Sequence, residues 1–296
     1  MIYPITFSIP SEKIVDVIPP KTKTLSLIVP GITNYIFHTE KEYYDEYKQS
    51  LFAITKKKAG WDCMRHYEII ANGCLPVFQN IEQCPENTMA LLPKSLLKEI
   101  KDYYYECVHN KELKDLSNDV LSKCSDYMNQ LLEYLRKHLT TKTLARYLLD
   151  KSGHPNASRV LVLSGNLDPD YMRCLLLDGL KRLLGSECHD YPMVPHVYKG
   201  CKTVYHHLYG WGMTYSKNLD DSLHNFDYDS TVENDIKNKR YDVIVYGNVH
   251  RGLPYFDLVS QNYPRNKIIL ICGQDIHHCN LKHYSNLGYC CFLREW

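Results

Sequence analysis

The chain has 296 residues, enough for two domains of ordinary size, and 44% of them are hydrophobic, enough for a sizeable core. Its 35 Lys and Arg stand against 34 Asp and Glu, a net charge of +1 that is balanced in each half, so neither half is a basic nucleic-acid domain by composition. No stretch approaches the roughly 20 apolar residues of a membrane span, and Met-Ile-Tyr-Pro-Ile-Thr does not open a signal peptide, which leads us to expect a cytoplasmic protein with no membrane segment.

Leu25 to Val29 reads as a short strand ended by Pro30-Gly31, and the charged, tyrosine-striped run Glu40 to Ser50 as a helix. Leu51 to Thr55 is a strand. The polar turn Lys56-Lys57-Lys58-Ala59-Gly60-Trp61 follows, then a helix over 62–72 and a buried strand over Leu75 to Phe78. Thr88 to Leu92 reads as another short strand, and residues 94–108 and 115–150 as helix. Gly153-His154-Pro155-Asn156 breaks the pattern and divides the chain into domains 1–155 and 156–296.

The second half restarts with a β-branched strand from Arg159 to Ser164, then Gly-Asn-Leu-Asp-Pro-Asp and a helix from Tyr171 to Leu184. Residues 186–240 show little regular pattern. Strands over 241–246, 267–272 and 289–293 and a helix over 253–261 complete the reading. Alternating strands and helices in both halves predict two doubly wound, Rossmann-like parallel sheets, with ligands at the carboxyl ends of the strands.

Within the helix over 62–72, Asp62, Arg65 and Glu68 recur every three residues and share a face. A helix start preceded by lysines suits an anion, while a carboxylate one turn further in suits hydroxyls. Phosphate at one end and a sugar diol at the other describe a nucleotide sugar. The competing reading of Arg65 and Glu68 is an ordinary surface ion pair, and that of the lysines is a solvated loop.

The succession Leu51–Thr55, Gly60, Arg65, Glu68 and Gly73-Cys74-Leu75-Pro76-Val77 resembles the donor-binding motif of GT-B glycosyltransferases of the exostosin-like type. It covers about 45 residues closely and roughly 100 by element order. The resemblance implies that Arg65 lies near the donor diphosphate, that Glu68 binds the ribose, and that the donor domain, normally second, comes first here, as in a circular permutation. Lys57, Lys58, Gly60, Trp61 and Asp62 join the donor set by charge and position. The co-substrate expected is a UDP- or GDP-sugar, with no cofactor and no metal, and the acceptor is a glycan, a protein or a modified nucleic acid.

For catalysis the candidates are Asp170 and His250, either of which could deprotonate an acceptor hydroxyl. Asn166, Asn248, Arg251, Asp275 and His277 follow predicted strands on the acceptor side. Asp168 of the Asp-x-Asp pair reads as a helix N-cap, and Tyr198, Tyr205, His206, His207, Tyr209 and Trp211 as a stretch that could stack on sugar or base. The 12 cysteines contain no C-x-x-C pair and read as reduced thiols; Cys272, His277, Cys279 and His283 match no familiar zinc spacing. Two rival functions are a non-catalytic module that keeps the fold and, more narrowly, glycosylation of a hydroxymethylated DNA base, which the balanced charge disfavours. A nicotinamide enzyme is disfavoured because neither half has G-x-G-x-x-G after its first strand.

Overall fold

A computed structural model describes residues 1–32, 36–202, 207–276 and 279–296. In chain order the elements are β1 (Ile2–Pro4), β2 (Lys23–Leu25), α1 (Glu40–Gln49), β3 (Ser50–Lys56), α2 (Met64–Ala71), β4 (Leu75–Gln79), α3 (Lys94–Tyr103), α4 (Asn118–His138) and α5 (Thr141–Lys151). They continue with β5 (Val160–Leu163), α6 (Tyr171–Leu184), β6 (Cys188–Tyr191), α7 (Phe226–Asp229), α8 (Val232–Lys237), β7 (Val243–Tyr246), α9 (Phe256–Asn262), β8 (Ile268–Cys272), α10 (Leu281–Asn286) and β9 (Cys290–Leu293).

Two parallel sheets result, one of three strands in the order β2–β3–β4 and one of six in the order β6–β5–β7–β8–β9–β1. The α/β class with Rossmann-like parallel sheets is as expected. In the larger sheet alternate residues serve opposite faces: Val160, Val162, Val243 and Val245 pack with α5 and α6, and Leu161, Leu163, Ile244 and Tyr246 with α8 and α9. Helices α5 and α6 approach closely at Gly179, where a Cβ would collide with the carbonyl of Thr141.

Every strand but β1 lies in the sheet of its own half. β1 leaves the first half and pairs with β9, through Ile2–Cys291, Tyr3–Phe292 and Pro4–Leu293. The chain then crosses back: Ile9 bridges Thr140, and Ile5, Phe7 and Ile9 are buried in a core that spans both sheets. The helix read over 115–150 breaks at Leu139, because Thr140 turns extended and caps α5 through its side chain. The strand expected at 88–92 is a run of turns, with Met89 at φ 54°. Strand β6 lies in the stretch read as irregular; its Cys-His-Asp-Tyr sequence lacks apolar alternation, and hydrogen bonds satisfy its buried His189 and Asp190. Cys272 and Cys279 are joined by a disulfide, a departure from the all-reduced reading that proximity in the fold decides. Among the described residues no helix is long and apolar enough to cross a membrane.

Candidate functional site

The carboxyl ends of the two sheets face a shared cavity of about 280 Å³. From the smaller sheet, the turn after β3 and the exposed face of α2 contribute Lys58, Gly60, Asp62, Arg65 and Glu68. From the larger sheet come Tyr171 at the start of α6 and Asp275 after β8, joined by Tyr209, Gly210 and Met213. Ile28, Ile36, Phe37 and Tyr43 supply an apolar and aromatic wall. An apolar cavity with a few convergent charges is the usual form of a small-molecule site.

Arg65 is the least satisfied of these groups. Its Nε and Nη1 are buried with no hydrogen-bond partner, and it forms no ion pair among the described residues, so the surface ion pair with Glu68 does not form. A guanidinium stays charged in any protein environment, so this is a cation with its donors unanswered. Lys58, on the cavity rim, has its pKa lowered, first by desolvation and then by the positive charge of Arg65 and Lys56. Two cations with depleted counter-charge converge on one wall.

Glu68, one turn from Arg65, is 5% exposed, and burial pushes its pKa up against the opposing pull of hydrogen bonds and of Arg65. Tyr43 donates its hydroxyl to Oε2 at 2.7 Å and Thr214 donates to Oε1. Each carboxylate oxygen thus already accepts one hydroxyl. The expected preference of Glu68 for hydroxyl donors is met here by the protein's own side chains.

Asp62 has a different role from the one expected. Its Oδ2 accepts the Phe7 amide at 2.7 Å and its Oδ1 the Tyr67 hydroxyl at 2.8 Å, which ties the returning N-terminal segment to α2. Nor are the turn's amides open to a ligand phosphate: Trp61 N donates to Glu295 Oε2 at 3.1 Å and Asp62 N to Oε1 at 2.9 Å. The anion at this bend is the chain's own carboxylate, held by Arg294, which also donates to the Asp62 carbonyl and pairs with Asp275. Gly60 makes that approach possible, since a Cβ there would come within 2.5 Å of Glu295 Oε1. Lys57 lies over the Trp61 ring, 5.3 Å from its centroid, and Trp61 packs on Phe78; neither lines the cavity.

The candidates of the second half fall into two groups. Asp170 caps α6 by accepting Arg173 N at 3.0 Å, and it also accepts Asn248 Nδ2 at 2.6 Å and Arg251 Nε at 3.1 Å. The cap expected at Asp168 therefore belongs to Asp170, because only its backbone sits at the N-cap position; Asp168 N instead donates to Asn166 Oδ1. Asn166, Asn248 and Arg251 thus meet at the ends of β5 and β7, where the strand order reverses, in a network closed by its own members. His250 is exposed beside it, and neither Asp170 nor His250 lines the cavity. Asp275 does. His277, Tyr205 and His206 lie outside the described residues. Of the stacking stretch, Tyr209 reaches the cavity, Trp211 stacks on His38 and Tyr198 is buried against Asp190.

Sequence reasoning missed Phe7, Tyr43, Tyr171 and Thr214 at the site, and Arg294 and Glu295 behind it. Each reaches it across a long sequence separation, and only the Tyr43–Tyr47 spacing on α1 carries a local signal. Among the described residues no group of three His, Cys, Asp or Glu is arranged to hold a metal ion. No protein-family model, curated protein or solved structure matches this chain.

Proposed function

We propose that the chain is a glycosyltransferase of GT-B type with its two halves in permuted order, taking its sugar from a UDP- or GDP-sugar. The observation that carries the reading is the Arg65 guanidinium, whose buried Nε and Nη1 have no hydrogen-bond partner, in a cavity between the carboxyl ends of two parallel sheets. A diphosphate answers it: Arg65 supplies planar donors and Lys58 a second positive charge, and both would stabilise the charge that develops as the nucleoside diphosphate departs. Glu68 stands one helical turn away as the acceptor for ribose hydroxyls, and Phe37, Tyr43 and Ile28 offer an apolar wall to the base. Asp275 presents an acidic group from the second half, on the side from which an acceptor would enter.

Calorimetric titration of UDP- and GDP-sugars into the wild type and Arg65→Met tests this. Micromolar binding by the wild type, lost in the variant, is expected; no binding of any nucleotide sugar by the wild type overturns the reading. A second reading, a module that binds the nucleotide sugar without transferring it, is favoured by one observation: Asp170 and His250 stand outside the cavity. Release of nucleoside diphosphate from a bound donor, abolished in Arg65→Met, excludes that alternative. A hydroxymethylated base in DNA as acceptor would require retardation of such DNA in a gel at low salt.

A further inference from the structure

We propose that the segment 208–216 is a strap that occupies the diol seat of the cavity by placing the Thr214 hydroxyl on the oxygen of Glu68 that a nucleotide's ribose would take, an inference that rests on the nucleotide reading above. The strap belongs to the second half, yet Thr214 also anchors it to the first. The Thr214 hydroxyl donates to Glu68 Oε1 and accepts from the Tyr44 hydroxyl at 2.6 Å, and its amide donates to Glu40 Oε2 at 2.6 Å. Trp211 stacks on His38 with ring centroids 5.1 Å apart, and Tyr209 and Met213 enter the cavity lining.

The backbone pays heavily for this arrangement. Gly210, Trp211, Gly212 and Thr214 all lie at left-handed φ, of 59°, 56°, 68° and 72°. For tryptophan and for β-branched threonine that region is unfavourable, and such residues persist only where surrounding contacts over-determine them. Gly210 must be glycine, since a Cβ would collide with the Tyr171 hydroxyl. Leu208 and Tyr215, both buried, hold the strap to the second half, Tyr215 packing on Tyr171 with ring centroids 4.6 Å apart, while Thr214 carries its bonds to the first half, where its hydroxyl does to Glu68 what a ribose hydroxyl would do. With the strap in place the cavity, about 280 Å³, falls just short of the roughly 300–1,000 Å³ usual for ligand sites.

Ligand affinity is then reduced by the fraction of molecules whose seat on Glu68 is open. The test is calorimetric titration of uridine and guanosine diphosphates and of their 2′,3′-dideoxy analogues into wild type, T214A, T214G and T214S. Glycine suits the left-handed backbone, so T214G keeps the strap foldable while removing the hydroxyl. T214A and T214G are expected to bind the ribonucleotide about tenfold more tightly than wild type. Their affinity for the dideoxy analogue should stay within about twofold, and T214S should match wild type. Unchanged or weaker ribonucleotide binding in T214A and T214G overturns the strap while leaving the nucleotide reading intact. An equal gain for the dideoxy analogue overturns it too, since Thr214 would then not compete for the diol seat. If wild type and all variants bind no nucleotide, both the reading and the strap fall.

Discussion

Two of the buried charge clusters among the described residues differ in whether the protein completes them. The first joins β6 to α6 and the segment around α7. Lys181 and Asp190, both fully buried, pair at 2.9 Å; Lys181 also donates to the Leu223 carbonyl, and Asp190 accepts from Tyr198 and His224. His224 passes on to Asp229, which His189 also meets, and His189 bonds Tyr241. Every charge has a partner. The second cluster, at the cavity, ends in an arginine with buried donors and nothing to bond. A closed network serves the fold, because desolvated charges are tolerable only when paired. An open one costs stability that a ligand can restore, and that contrast is the physical ground for placing function at Arg65 rather than at the larger polar cluster.

Breaking the closed network should have the largest effect. Asp190→Asn strands Lys181 and His224 in the interior, so urea denaturation should show a loss of about 3–5 kcal/mol. Arg65→Met should be neutral or stabilising without ligand, since it removes an unpaired buried charge, yet weaken nucleotide-sugar binding by about 100-fold or more through the loss of charge-assisted hydrogen bonds. If calorimetry and denaturation give the same sign for both substitutions, the contrast between the clusters is wrong.

Glu68→Gln should come next, weakening ribonucleotide binding by about tenfold with little change for a dideoxy analogue. Lys58→Ala is expected to cost only a few-fold, and that cost should shrink as salt is raised, because the side chain is exposed on the rim. The smallest effect is the pH response of the closed network. Burial disfavours the His224 imidazolium, but hydrogen bonds and charge from Asp190 and Asp229 outweigh it and raise its pKa. The stability this contributes is fully present below the unfolded histidine pKa of about 6.5 and is lost as pH rises through the folded value. Asp190, also opposed by burial, is held below the usual carboxylate range by His224 and Lys181, so its contribution is lost only as pH falls below that range. Burial lowers the pKa of His189, against the pull of Asp229 and Asp190, so the two histidines are shifted in opposite directions. The thermal midpoint of wild type relative to His224→Gln should therefore narrow as pH rises above about 6.5.

The unit β3–α2–β4 was legible because its information is local: an apolar strand, a glycine-bearing turn, a helix with a polar face, and a glycine stop at Gly73, which adopts φ 64°. Five of the seven residues read as donor-binding line the cavity, but helical spacing places only Arg65 and Glu68; α2 starts at Met64, not at the expected residue 62, and Lys58, Gly60 and Asp62 belong to the turn before it. The acceptor-side reading travelled less well. Strand ends were located, but Asn166, Asn248 and Arg251 proved to bond one another around Asp170, a choice among possible partners that spacing does not encode.

The amino-acid order alone thus determined the class of fold, the strand–turn–helix that presents Arg65 and Glu68, and the absence of excess charge for nucleic acid. Tertiary structure decided the rest: that β1 joins β9 across almost the whole chain, that Glu295 and not a ligand answers the amides of the turn, that Asp170 serves as a cap, and that Thr214 reaches Glu68. Periodicity along a chain reports which face is buried. Which group satisfies a buried donor or carboxylate is settled only when distant segments compete for it in three dimensions.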